Sequence, residues 1–345
     1  MKKYLHTQPS PNSFAVLSLP MLRQFDVARE KAIAGWLRIV FFLSILFSHS
    51  VKVDFSFVDE RMYTVWMLTM RDFGAIGFFL LAGASLKGKM LAQSQFKLPG
   101  NLVKLAIAAA LLAVFDMMFV WAKGGVPGSL SKHFYDALYD TNLWFFVAYS
   151  FAGPLLLSLD RRTAGWTAVC CLLFIMFPAN PLLLSPYILQ TISLAFVCMV
   201  IGAELHGRLA DSTLALVVAA AAFLARISLD DFGAPAYPAV DIVLRIAYGV
   251  ACFQLFKAIA DTVSLRVKAP GWANYLFVPY VVQFPILKVM LVICTALFTQ
   301  SIDIKMPPVF FSYWWSLSFM LTIFVFSAVV SFAIAWVLHR HEIRV

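Results

Sequence analysis

Long apolar runs separated by short polar breaks dominate this chain, at about 34–53, 62–86, 101–122, 142–158, 164–178, 182–205, 210–226, 238–260, 272–298 and 309–338. Runs of this length predict spanning helices, because roughly 20 apolar residues cross the hydrocarbon core of a bilayer. The polar breaks differ in charge. Lys2, Lys3, Arg23, Arg29 and Lys31 precede the first run, Lys87, Lys89 and Lys97 follow the second, and Arg161 and Arg162 follow the fourth. Arg208, Arg266, Lys268, Arg340 and Arg344 fall on the same side, whereas the intervening breaks hold Asp54, Asp59, Asp136, Asp140, Asp230, Asp231 and Asp303. Cytoplasmic loops carry the excess of Lys and Arg, so both termini read as cytoplasmic. The expected fold is all-α, a polytopic transmembrane bundle of about ten spans.

Composition agrees: of 345 residues, 62% are hydrophobic and 13% charged, and the mean hydropathy is +0.84, well outside soluble globular usage. The net charge of +9 is explained by the cytoplasmic loops and requires no nucleic acid. Residues 1–30 show no apolar core followed by a small-residue cleavage site, so the first span doubles as the insertion signal. The expected organisation is a cytoplasmic segment at 1–33, one membrane domain at 34–338 and a cytoplasmic tail at 339–345, in the plasma membrane. Cys170, Cys171, Cys198, Cys252 and Cys294 lie inside apolar runs without metal-ligand spacing, which predicts packing residues and no metal.

Charge inside a span is costly, and two ionisable residues stand in the first one. Arg38 and His49 are eleven residues apart, three helical turns with about 20° left over, so they share a face and lie roughly 16 Å apart along the axis. Such groups normally face a bundle interior or a wet cavity and mark a functional path. Taken alone, His49 also fits a hydrogen-bonded structural group, and Arg38 also fits snorkelling to the cytoplasmic headgroups. The orientation above places Asp116, Asn142, Asp241 and Arg245 within about two turns of the outer ends of their spans, with Arg71 and Asp72 near that level. Asp241 and Arg245, four apart, can pair on one helix face. Lys288 sits mid-span after Tyr280, Gln283 and Pro285, which predicts a kinked helix with one polar face. It either lines a channel or pairs with an acid such as Asp116.

The order of several segments is informative. Arg38 and His49 are followed by Gly77-Phe78-Phe79-Leu80-Leu81-Ala82-Gly83, then by Leu143-Trp144-Phe145-Phe146 with Pro154 ending that segment, then by Tyr275-Leu276-Phe277-Val278-Pro279. This series resembles the acyltransferase-3 family of integral membrane acyltransferases, of the type that acetylates envelope polysaccharides. Three departures stand out. Ala82 replaces the family's Ser, Val278 replaces a His, and Lys87, Lys89, Lys97 and Lys104 stand where arginines are expected. Lysine does not reproduce the bidentate contacts of arginine to phosphate.

The resemblance implies transfer of an acyl group, usually acetyl from cytoplasmic acetyl-CoA, to a hydroxyl of a glycan or lipid-linked sugar at the outer face. It implies that His49 is general base or acyl carrier, with Arg38 beside it. Asp116 is expected to orient the imidazole, as carboxylates do in triads. Arg71, Asn142, Trp144, Asp241 and Arg245 are expected on the acceptor side. Lys87, Lys89, Lys97, Lys104, Arg161 and Arg162 are candidates for the anionic CoA, although the orientation rule accounts for the same charges. The expected partners are the lipid bilayer, the acyl-CoA donor, the glycan or lipid-linked acceptor and other envelope biosynthesis proteins. The outer loop from Lys123 to Thr141 is the expected entrance. A translocator of a glycan or polyprenyl-linked sugar, with no acyl transfer, is the alternative.

Overall fold

The computed structural model describes residues 23–24, 27–50, 60–91, 98–122, 124–139, 143–177, 186–229, 238–299 and 313–343. It is all-α apart from one two-residue bridge. Its helices are α1 (Val27–Ser50), α2 (Glu60–Leu91), α3 (Leu98–Ala122), α4 (Leu130–Tyr139), α5 (Leu143–Ser158) and α6 (Arg161–Met176). They continue with α7 (Pro186–Glu204), α8 (Ser212–Leu229), α9 (Pro238–Ser264), α10 (Phe277–Val281), α11 (Gln283–Thr299) and α12 (Tyr313–Arg340). A 3-10 turn, Gly271–Tyr275, precedes α10. The strands β1 (Arg23–Gln24) and β2 (Arg208–Leu209) pair antiparallel.

Among the described residues, four helices are long and apolar enough to cross a membrane: Arg29–Ser50, Val103–Ala122, Ala239–Ser264 and Leu317–Arg340. Leu143–Ser158, Leu189–Glu204, Ser212–Ser228 and Gln283–Phe298 are shorter apolar helices. The outer surface fits a lipid environment. On α3, Val103, Ile107, Leu111, Val114, Met118 and Trp121 form an exposed stripe at three- and four-residue spacing. Water would penalise so long an apolar patch, and hydrocarbon does not.

The interior is built on α1, α2, α7 and α9. Phe41, Phe42, Phe79, Phe196 and Phe253 are fully buried there. The crossing of α2 and α7 depends on glycine on both sides. A Cβ on Gly83 would stand 2.0 Å from the Met199 carbonyl oxygen, and one on Gly202 would stand 2.0 Å from that of Leu80. Close backbone approach through small residues is how helices associate when lipid removes the hydrophobic driving force.

Helix ends that the charge pattern assigns to one side meet in space. The Arg29 guanidinium grips the Asp261 carboxylate through two bonds of 2.5 and 2.9 Å, joining the start of α1 to the end of α9. One turn away the fully buried Lys257 donates to Glu30 at 2.6 Å and to the Leu205 carbonyl at 3.1 Å.

Three features differ from the sequence reading. The segment expected as one span at 272–298 is broken into the 3-10 turn, α10 and α11, with Leu276 and Val282 at the junctions. Pro154 does not end its segment: α5 continues through it to Ser158. The expected entrance loop contains α4, a ten-residue helix that buries His133 and Ala137, four apart, and exposes Leu130, Lys132 and Tyr135.

Candidate functional site

Arg38 and His49 do share a face, and that face is turned toward the broken segment. Arg38 Nη1 donates to Asn274 Oδ1 at 2.5 Å in the 3-10 turn. The His49 ring lies 4.9 Å from the ring of Phe284 at the start of α11. An eleven-residue step along α1 is thus matched by a ten-residue step along the broken segment, so the two run alongside each other in the same direction. Pro270, Pro279 and Pro285 punctuate that segment. Pro285 falls in the first turn of α11, where a missing backbone N–H removes no helical bond.

Segments far apart in sequence converge next to this face. The ring of Tyr280 in α10 lies 5.6 Å from Phe78 of α2 and 5.8 and 5.3 Å from Phe145 and Phe146 of α5. Phe79 stacks on Phe145 at 4.4 Å, with Trp144 6.0 Å from Phe79, and Phe277 meets Phe146 at 4.5 Å. Phe41 of α1 touches Phe78 at 5.8 Å. The Gly77–Gly83, Leu143–Phe146 and Tyr275–Pro279 stretches therefore form one aromatic layer. Edge-to-face and offset contacts of this kind hold ring positions tightly.

A second polar region joins α2, α8 and α9. Asp72 accepts from Arg245 at 2.7 Å and lies 3.3 Å from Arg226. Arg226 also donates to Asp241 at 3.0 Å, and Arg245 stands 4.0 Å from Asp241. The expected Asp241/Arg245 pair is thus the loose edge of a four-charge network whose shortest contact is Asp72 with Arg245. Two acids and two arginines cancel, which is the condition for keeping them away from water.

Asp116 occupies a third region. One of its oxygens pairs with Lys288 of α11, and the other meets His133 Nδ1 of α4 at 2.8 Å. Lys288 Nζ also lies 5.2 Å from the centre of the Phe119 ring. Of the two roles open to Lys288, the pairing with Asp116 is the one found. The imidazole found beside Asp116 is that of His133 of α4.

At the opposite end, Arg161 forms a bidentate pair with Glu204 at 2.8 and 2.6 Å. The backbone N–H of Arg162 is capped by Asp160. Lys104 is exposed, and Lys87 is half-buried beside the turn that carries His206. Burial pushes the His206 imidazole below its ordinary pKa, and the charges of Lys257 and Lys87 add to that against the opposing pull of Glu30. Lys97 and Asn142, and the side chains of Arg71 and Lys89, lie outside the described residues. Among the described residues no cluster of His, Cys, Asp and Glu is placed to hold a metal ion, and the five cysteines are unpaired thiols.

The sequence reading missed Arg226, His133, His206 and the Glu30–Lys257 pair as site residues. For two of them a signal existed. Arg226 interrupts the apolar run of α8, and Lys257 with Asp261 repeats the four-residue polar spacing on α9. No protein-family model, curated protein or solved structure matches this chain.

Proposed function

We propose that this protein is a membrane-embedded O-acyltransferase that moves an acyl group, acetyl from cytoplasmic acetyl-CoA, to a hydroxyl of a glycan or lipid-linked sugar at the outer face. The observation that carries the reading is the convergence just described. Arg38 and His49 line one face of α1 against a broken segment, and the stretches that resemble the acyltransferase-3 family close around Tyr280 beside it.

In this reading the chain makes ten passes of the plasma membrane with both termini in the cytoplasm. The passes are α1, α2, α3, α5, α6, α7, α8, α9, the broken segment ending in α11, and α12. α4 lies outside the count on the outer surface. Irregular backbone at membrane depth is tolerated where it lines a cavity, which suits a donor and acceptor that must meet inside the bundle. Lys87 and Lys104 are assigned to the CoA phosphates, whereas Arg161 is neutralised by Glu204 and contributes less; the same role for Lys89 and Lys97 rests on the resemblance. Asp241 and Arg245 are assigned to the acceptor side, and Trp144 belongs to the aromatic layer; the same role for Arg71 and Asn142 rests on the resemblance. Envelope biosynthesis proteins supply the acceptor.

The chemistry needs little beyond an imidazole and a fixed positive charge. His49 takes the acceptor hydroxyl proton as that oxygen attacks the thioester carbonyl, the C–S bond breaks, and CoA leaves as a thiolate that recovers the proton. Alternatively the imidazole attacks first and carries the acetyl group. Arg38 offers positive charge on the donor side.

The test is turnover of radiolabelled acetyl-CoA by purified wild type and His49→Ala at equal folded yield. Loss of turnover in the variant supports the reading; acetyl-CoA left intact by the wild type with candidate sugars present sinks it. The broken segment also favours a second reading, since discontinuous helices line the cargo site of many transporters. A translocator would move a polyprenyl-linked sugar across liposomes with no acetyl-CoA and would tolerate His49→Ala.

A further inference from the structure

His133 carries an arrangement that the reading above leaves unused. The residue is 7% exposed, and its Nδ1 is held 2.8 Å from Asp116. The second oxygen of that carboxylate is pinned by Lys288. An ionised carboxylate can only accept, so the ring donates Nδ1–H, and in the neutral imidazole the lone pair then lies on Nε2. Nε2 is buried and has no hydrogen-bond partner among the described residues.

The surroundings define what Nε2 faces. A Cβ on Gly128 would stand 3.8 Å from it, so the nitrogen points at the Gly124–Ser129 loop, at a position that carries no side chain. Ser129 caps α4, its Oγ accepting from Lys132 N–H at 3.3 Å and its carbonyl from His133 N–H at 3.2 Å, and this fixes the ring-bearing turn against the loop. The positive charge of Lys288 is used by Asp116, and the exposed Lys132, whose Cδ would lie 3.6 Å from the same Cβ position on Gly128, is the other cation beside the loop among the described residues. A buried imidazole lone pair of this kind suits an O–H donor. It is tied to the His49 region through α11: Phe284, which meets His49, and Lys288, which holds Asp116, are four residues apart on neighbouring positions of one helix face.

We infer that His133 Nε2 receives a hydroxyl of a neutral polyol, and that Asp116 and Lys288 are positioning residues that fix its tautomer. The inference rests on the acyl-transfer reading for its chemical consequence. There the polyol is the acyl acceptor, and Nε2 takes the hydroxyl proton as the new ester C–O bond forms and the C–S bond to CoA breaks. The proton then passes to the departing thiolate. His49 is freed from the base role and serves the acyl group.

The test uses the full protein in lipid nanodiscs, labelled with nitrogen-15 in its histidine rings and titrated with methyl α-D-glucopyranoside, His133→Gln assigning the signal. The expected result is an Nδ1–H tautomer whose Nε2 resonance moves saturably toward the hydrogen-bonded range, with the preference lost in Asp116→Asn. An Nε2–H tautomer, or a resonance indifferent to the sugar, overturns the inference.

A second arm supplies acetyl-CoA with either the sugar or hydroxylamine, a nucleophile that needs no base. His133→Gln should cut sugar acetylation about 100-fold or more and hydroxamate formation by less than about threefold. Equal losses in both would reduce His133 to a structural residue. A wild type that consumes acetyl-CoA with neither nucleophile defeats the acyl-transfer reading and the base role together. The sugar titration still decides whether His133 binds a hydroxyl.

Discussion

Two polar regions of this bundle handle charge in opposite ways. In the α2–α8–α9 network, Asp72, Arg226, Asp241 and Arg245 each face an opposite charge, and the sum is zero. On α1, Arg38 donates to the neutral amide of Asn274 and forms no ion pair among the described residues. The His49 ring packs against the phenyl ring of Phe284. A set of opposite charges in mutual contact recovers part of its desolvation cost and is built like a structural clamp. A cation without a counter-charge recovers much less, so its presence in a span asks for another explanation, and an anionic substrate or a developing oxyanion provides one.

The comparison breaks most visibly at Asp72. Asp72→Ala leaves Arg226 and Arg245 sharing one acid, and removal of one partner from a buried set costs about 3–5 kcal/mol. We expect loss of the folded peak in detergent size-exclusion profiles and partial recovery in the double variant Asp72→Ala/Arg245→Met. A stable single variant would mean that the network is solvated and that the contrast with α1 is empty.

Arg38→Gln should do the reverse. With no ion pair to break, its thermal unfolding should stay within about 1 kcal/mol of wild type. Acetyl-CoA turnover should fall about 100-fold, the scale of losing one charge-stabilising donor. Unfolding with intact turnover would return Arg38 to a structural role.

Gly83→Ala tests whether a residue within the motif packs rather than reacts. A methyl 2.0 Å from the Met199 carbonyl forces α2 and α7 apart, at about 1–3 kcal/mol. Stability should drop while turnover per folded molecule is retained.

The smallest effect is at His206. Its folded pKa is depressed, chiefly by burial, so the unfolded chain binds the proton more readily. Its contribution to stability is present above the unfolded value, about 6.5, and is lost as pH falls from there toward the lower folded value. Thermal unfolding of the wild type should therefore weaken on acidification through that window, and His206→Gln should flatten the slope. An unchanged slope would mean that burial of His206 does not govern the acid response.

What was legible in the sequence was whatever follows from spacing within one helix. Eleven residues put Arg38 and His49 on one face and four put Asp241 beside Arg245, whereas Pro285 suggested a kink and the segment is broken earlier, at Leu276 and Val282. What was hidden depended on which helices meet. Nothing in the apolar run of α8 says that Arg226 turns to Asp72, 154 positions earlier in the chain. The partnership of Asp116 with His133 was missed because α4, short and amphipathic, reads as loop. The glycines of the Gly77–Gly83 stretch looked like a motif and serve packing, since close backbone approach leaves no mark in a single sequence beyond the small residue itself.

The most direct test of the central claim is to follow acetyl-CoA consumption by wild type, His49→Ala and Asp72→Asn, each normalised to folded protein. The account predicts that His49→Ala folds and is inactive, while whatever Asp72→Asn remains folded turns over normally. A folded His49→Ala that consumes acetyl-CoA at the wild-type rate would contradict it.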